Sequence, residues 1–206
     1  MDHLNESQSE KQTQSIDTVS EIKSFIKSVI VLVILIIILR GSIIEAFRIP
    51  SASMRPTLIE QDHILVTKFD YGLRAAFFPK TLYQFTTPKR GDIVVFTQEN
   101  EPETNIIKRV IGLAGETFEV KGRQVFINGK ELQEPENIKW LDGGKEDFGP
   151  VTIPEGHVIV LGDNRDHSRD SRYWNNPFLD IKLIKGKAKI IYFNWVSLSR
   201  AGTLIK

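Results

Sequence analysis

Eleven consecutive residues, Val29 to Leu39, carry no polar atom in any side chain. Such a run has to be buried, in protein or in lipid, and its length bears on which. As a helix it covers only about 17 Å, short of the roughly 30 Å of a bilayer's hydrocarbon core. Widening the window to Ile26–Ile44 supplies 19 residues. Lys27 and Arg40 then fall near its ends, where long basic side chains snorkel to the headgroups. The expected element is a transmembrane helix over residues 22–47, behind a polar, Gln/Ser-rich tail over residues 1–21 that reads as disordered. A cleaved leader is the main rival, because its apolar region runs to about 7–15 residues. Against it, the residues after the run include Arg40, Glu45 and Arg48 instead of a short stretch of small side chains. A helix buried in a soluble core is the third reading. Basic residues do not orient the segment, since Lys11, Lys23 and Lys27 precede it and Arg40, Arg48 and Arg55 come after it.

Beyond residue 60 the pattern changes to short β-branched runs between turn signals. These are His63–Phe69, Asp92–Thr97, Asn105–Ile111, Gln124–Ile127, His157–Leu161 and Lys187–Phe193. Asn128-Gly129 stands between two such runs and predicts a type I′ hairpin. Residues 133–150 mix Gly, Pro and charge and read as a long loop or hairpin extension. No strongly amphipathic long helix is expected after residue 50. The expected fold class is mainly β, an antiparallel catalytic or binding domain over residues 48–206 behind one N-terminal helix.

Charge and cysteine content narrow the function. Lys and Arg total 27 against 26 Asp and Glu, and no basic stripe interleaves with aromatics, so a nucleic-acid partner is not expected. The chain has no cysteine, which removes disulfides, thiolate metal sites and a cysteine nucleophile together.

Two prolines frame the serines of Ile49-Pro50-Ser51-Ala52-Ser53-Met54-Arg55-Pro56-Thr57-Leu58. Proline fixes its own φ and biases the preceding residue to extended conformations. The result is a stiff loop able to present a hydroxyl, though a plain linker would look the same. A nucleophilic serine needs a base. His3 lies in the tail, while His63 and His157 read as strand-edge residues. His167, in a polar loop, is the one credible histidine. Lys108 is the alternative. On a strand it shares a face with Ile106 and Val110, while Ile107, Arg109 and Ile111 point the other way. A lysine drawn into an aliphatic face is desolvated, which disfavours the ammonium and lowers its pKa. The adjacent Arg109 guanidinium would push the same way. An edge-strand lysine guarding against aggregation is the bland reading of the same residue. Finally, Gly162 to Trp174 packs three Asp, three Arg and two Ser into thirteen positions. That density fits a buried loop whose Asp–Arg pairs neutralise one another.

Four blocks in order, IPSASMRPTL, KRGDIVVF, NIIKRVIGLAGE and GDNRDHSRDSRYW, resemble those of the type I signal peptidases, across about residues 22 to 195. The resemblance implies a membrane-bound serine endopeptidase with a Ser–Lys dyad, Ser53 as nucleophile and Lys108 as general base. Ser51 and the Ser53 N–H would form the oxyanion hole. Ser168 would hold the Lys108 amine, Asp170 and Arg172 would form an ion pair beside the site, and Asp163 and Arg109 would support it. It further implies a coiled antiparallel β-sheet with an apolar surface near the membrane, and a reduced insertion at about residues 121–150. Leu73–Pro79, Trp140 and Trp195 are candidates for that surface. The tail would be cytoplasmic and the catalytic domain would lie on the outer face of a bacterial inner membrane. Partners would be the signal peptides of exported preproteins, cut after small residues, and membrane lipid, with no metal or organic cofactor. His167 stands where the family commonly has asparagine. A self-cleaving repressor, a non-catalytic binding domain and a Ser-His-Asp hydrolase using His167 are the rival readings.

Overall fold

The computed structural model describes residues 21–34, 44–73, 83, 84, 86–135, 138, 140 and 147–205. The chain divides into two units, Met1–Arg40 and Gly41–Lys206.

In the first unit, residues 21–34 form a helix, α1. Its large apolar side chains, among them Phe25, Ile30, Val31 and Leu32, are all exposed. Among the described residues no helix is long and apolar enough to cross a membrane. The tail over residues 1–20 and the stretch 35–43 of the expected span lie outside the described residues. The far end of that span requires correction. Residues 44–47 are not helical but belong to a strand, β1 (Ile44–Arg48), paired antiparallel with β2 (Asp62–Thr67) from Ile44↔Thr67 to Arg48↔His63. Backbone pairing with β2 supplies hydrogen bonds that a period-blind apolar window cannot register.

The second unit is built of antiparallel strands, as the alternating runs predict. A two-stranded ribbon, β3 (Gly72–Leu73) with β4 (Tyr83–Gln84), comes after β2. Most of the Leu73–Pro79 segment, residues 74–79, lies outside the described residues. Then come β5 (Ile93–Gln98) and the twelve-residue β6 (Glu101–Gly112). Strands β7 (Thr117–Lys121), β8 (Gln124–Ile127), β9 (Lys130–Glu131) and β10 (Phe148–Thr152) form a separate four-stranded sheet in the order β10-β7-β8-β9. The chain closes with β11 (His157–Leu161), β12 (Leu179–Asp180), β13 (Ile184–Asn194) and β14 (Thr203–Leu204). The large sheet runs β1-β2-β13-β5-β6-β11-β12, with β14 added on β13.

Asn128 and Gly129 both take positive φ, 52° and 75°, which a type I′ turn demands. Residues expected in the extension before Pro150 join that small sheet through β10.

β5 is buried on both faces, and its alternation divides the core. Ile93 and Val95 pack with Ile64, Val66, Ile107, Ile191, Met54 and Leu58. Val94 and Phe96 pack on the opposite side with Val110, Val160 and Ile184. A third cluster, centred on Phe118 and Ile153, joins the small sheet to β11. Met54 and Leu58 are fully buried, so the proline-framed loop is nailed to the first core on its C-terminal side.

Candidate active site

Ser53 sits in a single 3-10 turn over Ala52–Met54. Ahead of the turn, Ile49 is buried, donates its N–H to Asp62 O at 2.8 Å and accepts from Gln61 N–H at 3.0 Å. Behind it, Leu58 N–H donates to Met54 O at 2.9 Å. Backbone bonds and apolar anchors on both sides leave the Ser53 side chain half-buried and facing β6.

Lys108 meets it there. Its Nζ lies 2.6 Å from Ser53 Oγ, and the lysine is 4% exposed. Ile106 and Val110 pack in the cluster of Val94 and Phe96, while Ile107 packs with Met54, as strand alternation predicts. Burial lowers the Lys108 pKa to about 8, against the opposing pull of the Asp170 and Asp163 carboxylates. The adjacent Arg109 contributes differently from expectation. Its guanidinium does not push on Lys108, because it is held in a two-pronged pair with Asp163, Nε to Oδ1 at 2.8 Å and Nη2 to Oδ2 at 2.7 Å. Thr57 Oγ1 also donates to Asp163, at 2.5 Å. The pair therefore ties the loop after Ser53 to β6 and to the end of β11.

Most of the charges in the dense loop are buried, as its composition predicts, with Asp163, Arg165, Asp170 and Arg172 inside while His167 and Arg169 stay exposed. Arg172 donates to both Asp170 oxygens, at 2.8 and 2.9 Å, with both side chains essentially inaccessible. Asp170 Oδ2 also accepts the Gly162 N–H at 3.0 Å, and Ser171 Oγ accepts the Val160 N–H at 3.0 Å. The loop reaches the Ser53 turn through its backbone. Asn164 N–H donates to Ser53 O at 3.1 Å, and Asn164 Nδ2 to Ala52 O at 3.1 Å. Gly162 is glycine for a steric reason, since a Cβ there would stand 2.4 Å from Ser53 O and 2.2 Å from Ser168 Oγ.

Two expected contacts are absent or loose. Ser168 is buried, but its Oγ has no hydrogen-bond partner among the described residues, so it does not bond the Lys108 amine. Ser51 is exposed, with its Oγ 3.5 Å from Ser53 Oγ. Among the histidines, His167 is exposed, His63 packs its ring against Tyr192 and Phe193, and His157 Nδ1 meets Glu155 O. The partner of the Ser53 hydroxyl on β6 is an amine. Reasoning from sequence missed Asn164, Gly162, Arg165 and Glu134. Nothing local marks them out, because their partners lie at separations such as 112 residues for Asn164 and Ala52.

The site offers a hydroxyl, a buried amine of lowered pKa within proton-transfer distance, and two carboxylates fixed by guanidinium groups. Among the described residues no group of His, Cys, Asp and Glu could hold a metal ion.

Comparison with known proteins adds an independent line. The model of one family, described as signal peptidase, peptidase S26, matches residues 22–195. A signal peptidase I of Pseudomonas aeruginosa is 36% identical over 192 residues, covering 77% of this chain and 68% of its own length. Signal peptidase I P of Bacillus subtilis subsp. natto is 34% identical over 185 residues, covering 84% and 90%. A crystal structure of a signal peptidase I from Enterococcus faecalis, 33% identical, covers 50% of this chain and 98% of its own with a TM-score of 0.42.

Proposed function

Because the chain belongs to the signal peptidase family, peptidase S26, and is thus a serine peptidase, we propose that it removes signal peptides from exported preproteins with Ser53 as nucleophile and Lys108 as general base. The observation that carries the assignment is the 2.6 Å contact between Ser53 Oγ and the buried Lys108 Nζ. Only a neutral amine accepts a proton, and burial makes that form accessible near pH 8.

In the proposed reaction, Lys108 Nζ takes the hydroxyl proton as Ser53 Oγ bonds to the scissile carbonyl carbon. The carbonyl oxygen becomes the oxyanion, for which the Ser53 N–H and the Ser51 hydroxyl are the nearest donors in chain order. Each such donor is worth about 3–4 kcal/mol of transition-state stabilisation. The C–N bond then breaks, and the Lys108 ammonium gives its proton to the departing amine. Water, deprotonated by the same amine, attacks the Ser53 ester and releases the signal peptide with a free carboxylate. One group serves as base and acid in turn, so no third member is needed. Substrates with small side chains at the first and third positions before the cut fit an extended peptide, because alternate side chains share one face.

The exposed apolar surface of α1 supports a single-pass anchor that begins at residue 22 and ends before β1. A polar tail precedes it in the cytoplasm, and the β domain lies outside. An anchor confines enzyme and membrane-tethered substrate to one surface and raises their effective concentration. The full chain is expected to stay in the membrane fraction through alkaline carbonate extraction, and protease added to intact spheroplasts is expected to reach the β domain. Release by carbonate removes the anchor, and protection of the β domain reverses the orientation.

The function is tested on a purified preprotein in detergent or lipid. Ser53→Ala and Lys108→Ala are expected to abolish cleavage, whereas His167→Ala retains activity within about threefold, as expected for an exposed side chain that makes no hydrogen bond to the hydroxyl. Cleavage by Lys108→Ala at the wild-type rate sinks the dyad, and loss in His167→Ala alone favours a histidine base.

A further inference from the structure

Glu134 and Trp140 lie between β9 and β10, in the insertion, and outside every block that carries the family resemblance. Both close on the charged loop. Arg165 is fully buried, with Nη1 2.6 Å from Glu134 Oε2 and Nε 3.0 Å from Gly162 O. The Trp140 ring centre lies 5.5 Å from the guanidinium carbon of Arg165 and 5.1 Å from that of Arg172. Arg172 in turn donates to Arg165 O at 2.5 Å and grips Asp170.

These contacts converge on one residue. The N–H of Gly162 is taken by Asp170 and its C=O by Arg165, so both polar ends of the residue are fixed. Gly162 packs so closely on Ser53 that a single added carbon would meet the Ser53 carbonyl oxygen. A guanidinium buried this deeply requires a counter-charge, and the carboxylate bonded to it is that of Glu134, whose side chain is 14% exposed. Deprived of Glu134, Arg165 has to turn toward water or toward another carboxylate. Either motion releases the Gly162 carbonyl.

We propose that the insertion is part of the catalytic apparatus, with Glu134 and Trp140 as positioning residues that act through Arg165 and Gly162 on the placement of Ser53. The inference rests on the reading of Ser53 as nucleophile. It assigns the insertion a role beyond covering apolar surface. The coupling is geometric, since a shift of about 1 Å in a reacting group costs up to about a hundredfold in rate.

The test measures kcat and KM of the full-length enzyme on a preprotein for Glu134→Gln, Glu134→Ala, Trp140→Leu and Trp140→Phe, with thermal unfolding of each. Glu134→Ala and Trp140→Leu are expected to lower kcat about tenfold or more while KM stays within about twofold. Glu134→Gln, which keeps the shape but removes the counter-charge of the buried Arg165, is expected to lose kcat as Glu134→Ala does, whereas Trp140→Phe, which keeps a ring face, is expected to retain most of the rate. Assay at a temperature well below each unfolding midpoint must leave the losses in place. Unchanged kcat in Glu134→Ala and Trp140→Leu overturns the proposal, as does a loss that disappears on cooling, which marks a purely stabilising contact. Lys108→Ala run alongside separates the two readings. Its inactivity upholds the dyad whatever the insertion variants do, and its activity condemns the dyad while the kcat values still decide the insertion.

Discussion

Lys108→Met is expected to abolish turnover and, at neutral pH, to make the folded protein more stable. Loss of the base removes proton transfer in both half-reactions, so kcat/KM should fall by about 10⁴-fold or more. The stability gain stems from the burial that makes the lysine useful. Its pKa is lowered from 10.5 to about 8 in the folded chain. At pH 7 the amine is charged in both folded and unfolded states, and the folded state bears the full cost of burying it. That cost is on the order of 3 kcal/mol for a shift of this size. Between pH 8 and 10.5 the folded amine sheds its proton first, the unfolded state binds more protons, and stability climbs with pH. Methionine, of similar length and uncharged, removes the cost at every pH. Denaturant unfolding of wild type and variant at pH 7 and pH 10 checks this. The two should differ most at pH 7 and converge at pH 10. Wild-type kcat/KM should meanwhile drop about tenfold per unit below pH 8. A variant destabilised at pH 7 would show that the amine holds the fold together and is not a strained functional group.

Asp170→Asn is expected to act in the opposite sense on stability. It leaves Arg172 charged and buried beside a neutral amide, and breaking a buried pair by removing one partner costs about 3–5 kcal/mol. The amide also competes poorly for the Gly162 N–H that the carboxylate accepts. A second signature separates electrostatics from packing. The Asp170 charge raises the pKa of Lys108, so its removal should carry the acidic limb of the residual activity to lower pH. A pH–rate profile of the variant, taken where it remains folded, reads this directly. A limb that stays in place or moves to higher pH would mean that Asp170 does not reach the base.

The features legible in the sequence came from local rules. Alternation along Ile106–Ile111 placed Lys108 on the face away from Ile107, and Asn128-Gly129 announced its turn through a conformation few other residue pairs tolerate. The charged loop declared its burial by the improbability of so many charges in one solvated turn. Other features required contacts that no local rule encodes. Ile44 to Phe47 extend an apolar run as naturally into a helix as into a strand, and only the β2 edge decides. Arg109 was expected to press on its neighbour Lys108, yet Asp163, 54 residues away, claims its charge. Ser168 lies near Ser53 through Gly162 without bonding the amine. Glu134 carries no motif at all, and its role becomes visible only once Arg165 is known to be buried.

The wide spacing of the site in the chain has a consequence for the protein's birth. Ser53 and Lys108 are 55 residues apart, and the backbone that props Ser53 comes from Asn164, another 56 residues on. Closing such loops is entropically slow and is rewarded only when the last partner arrives. A chain emerging from its N-terminus therefore carries the serine and the lysine well before the backbone that holds the Ser53 turn. On the proposed dyad, activity is expected to appear late in synthesis, once residues 108 and 164 have both emerged and the contacts that hold Ser53 can close.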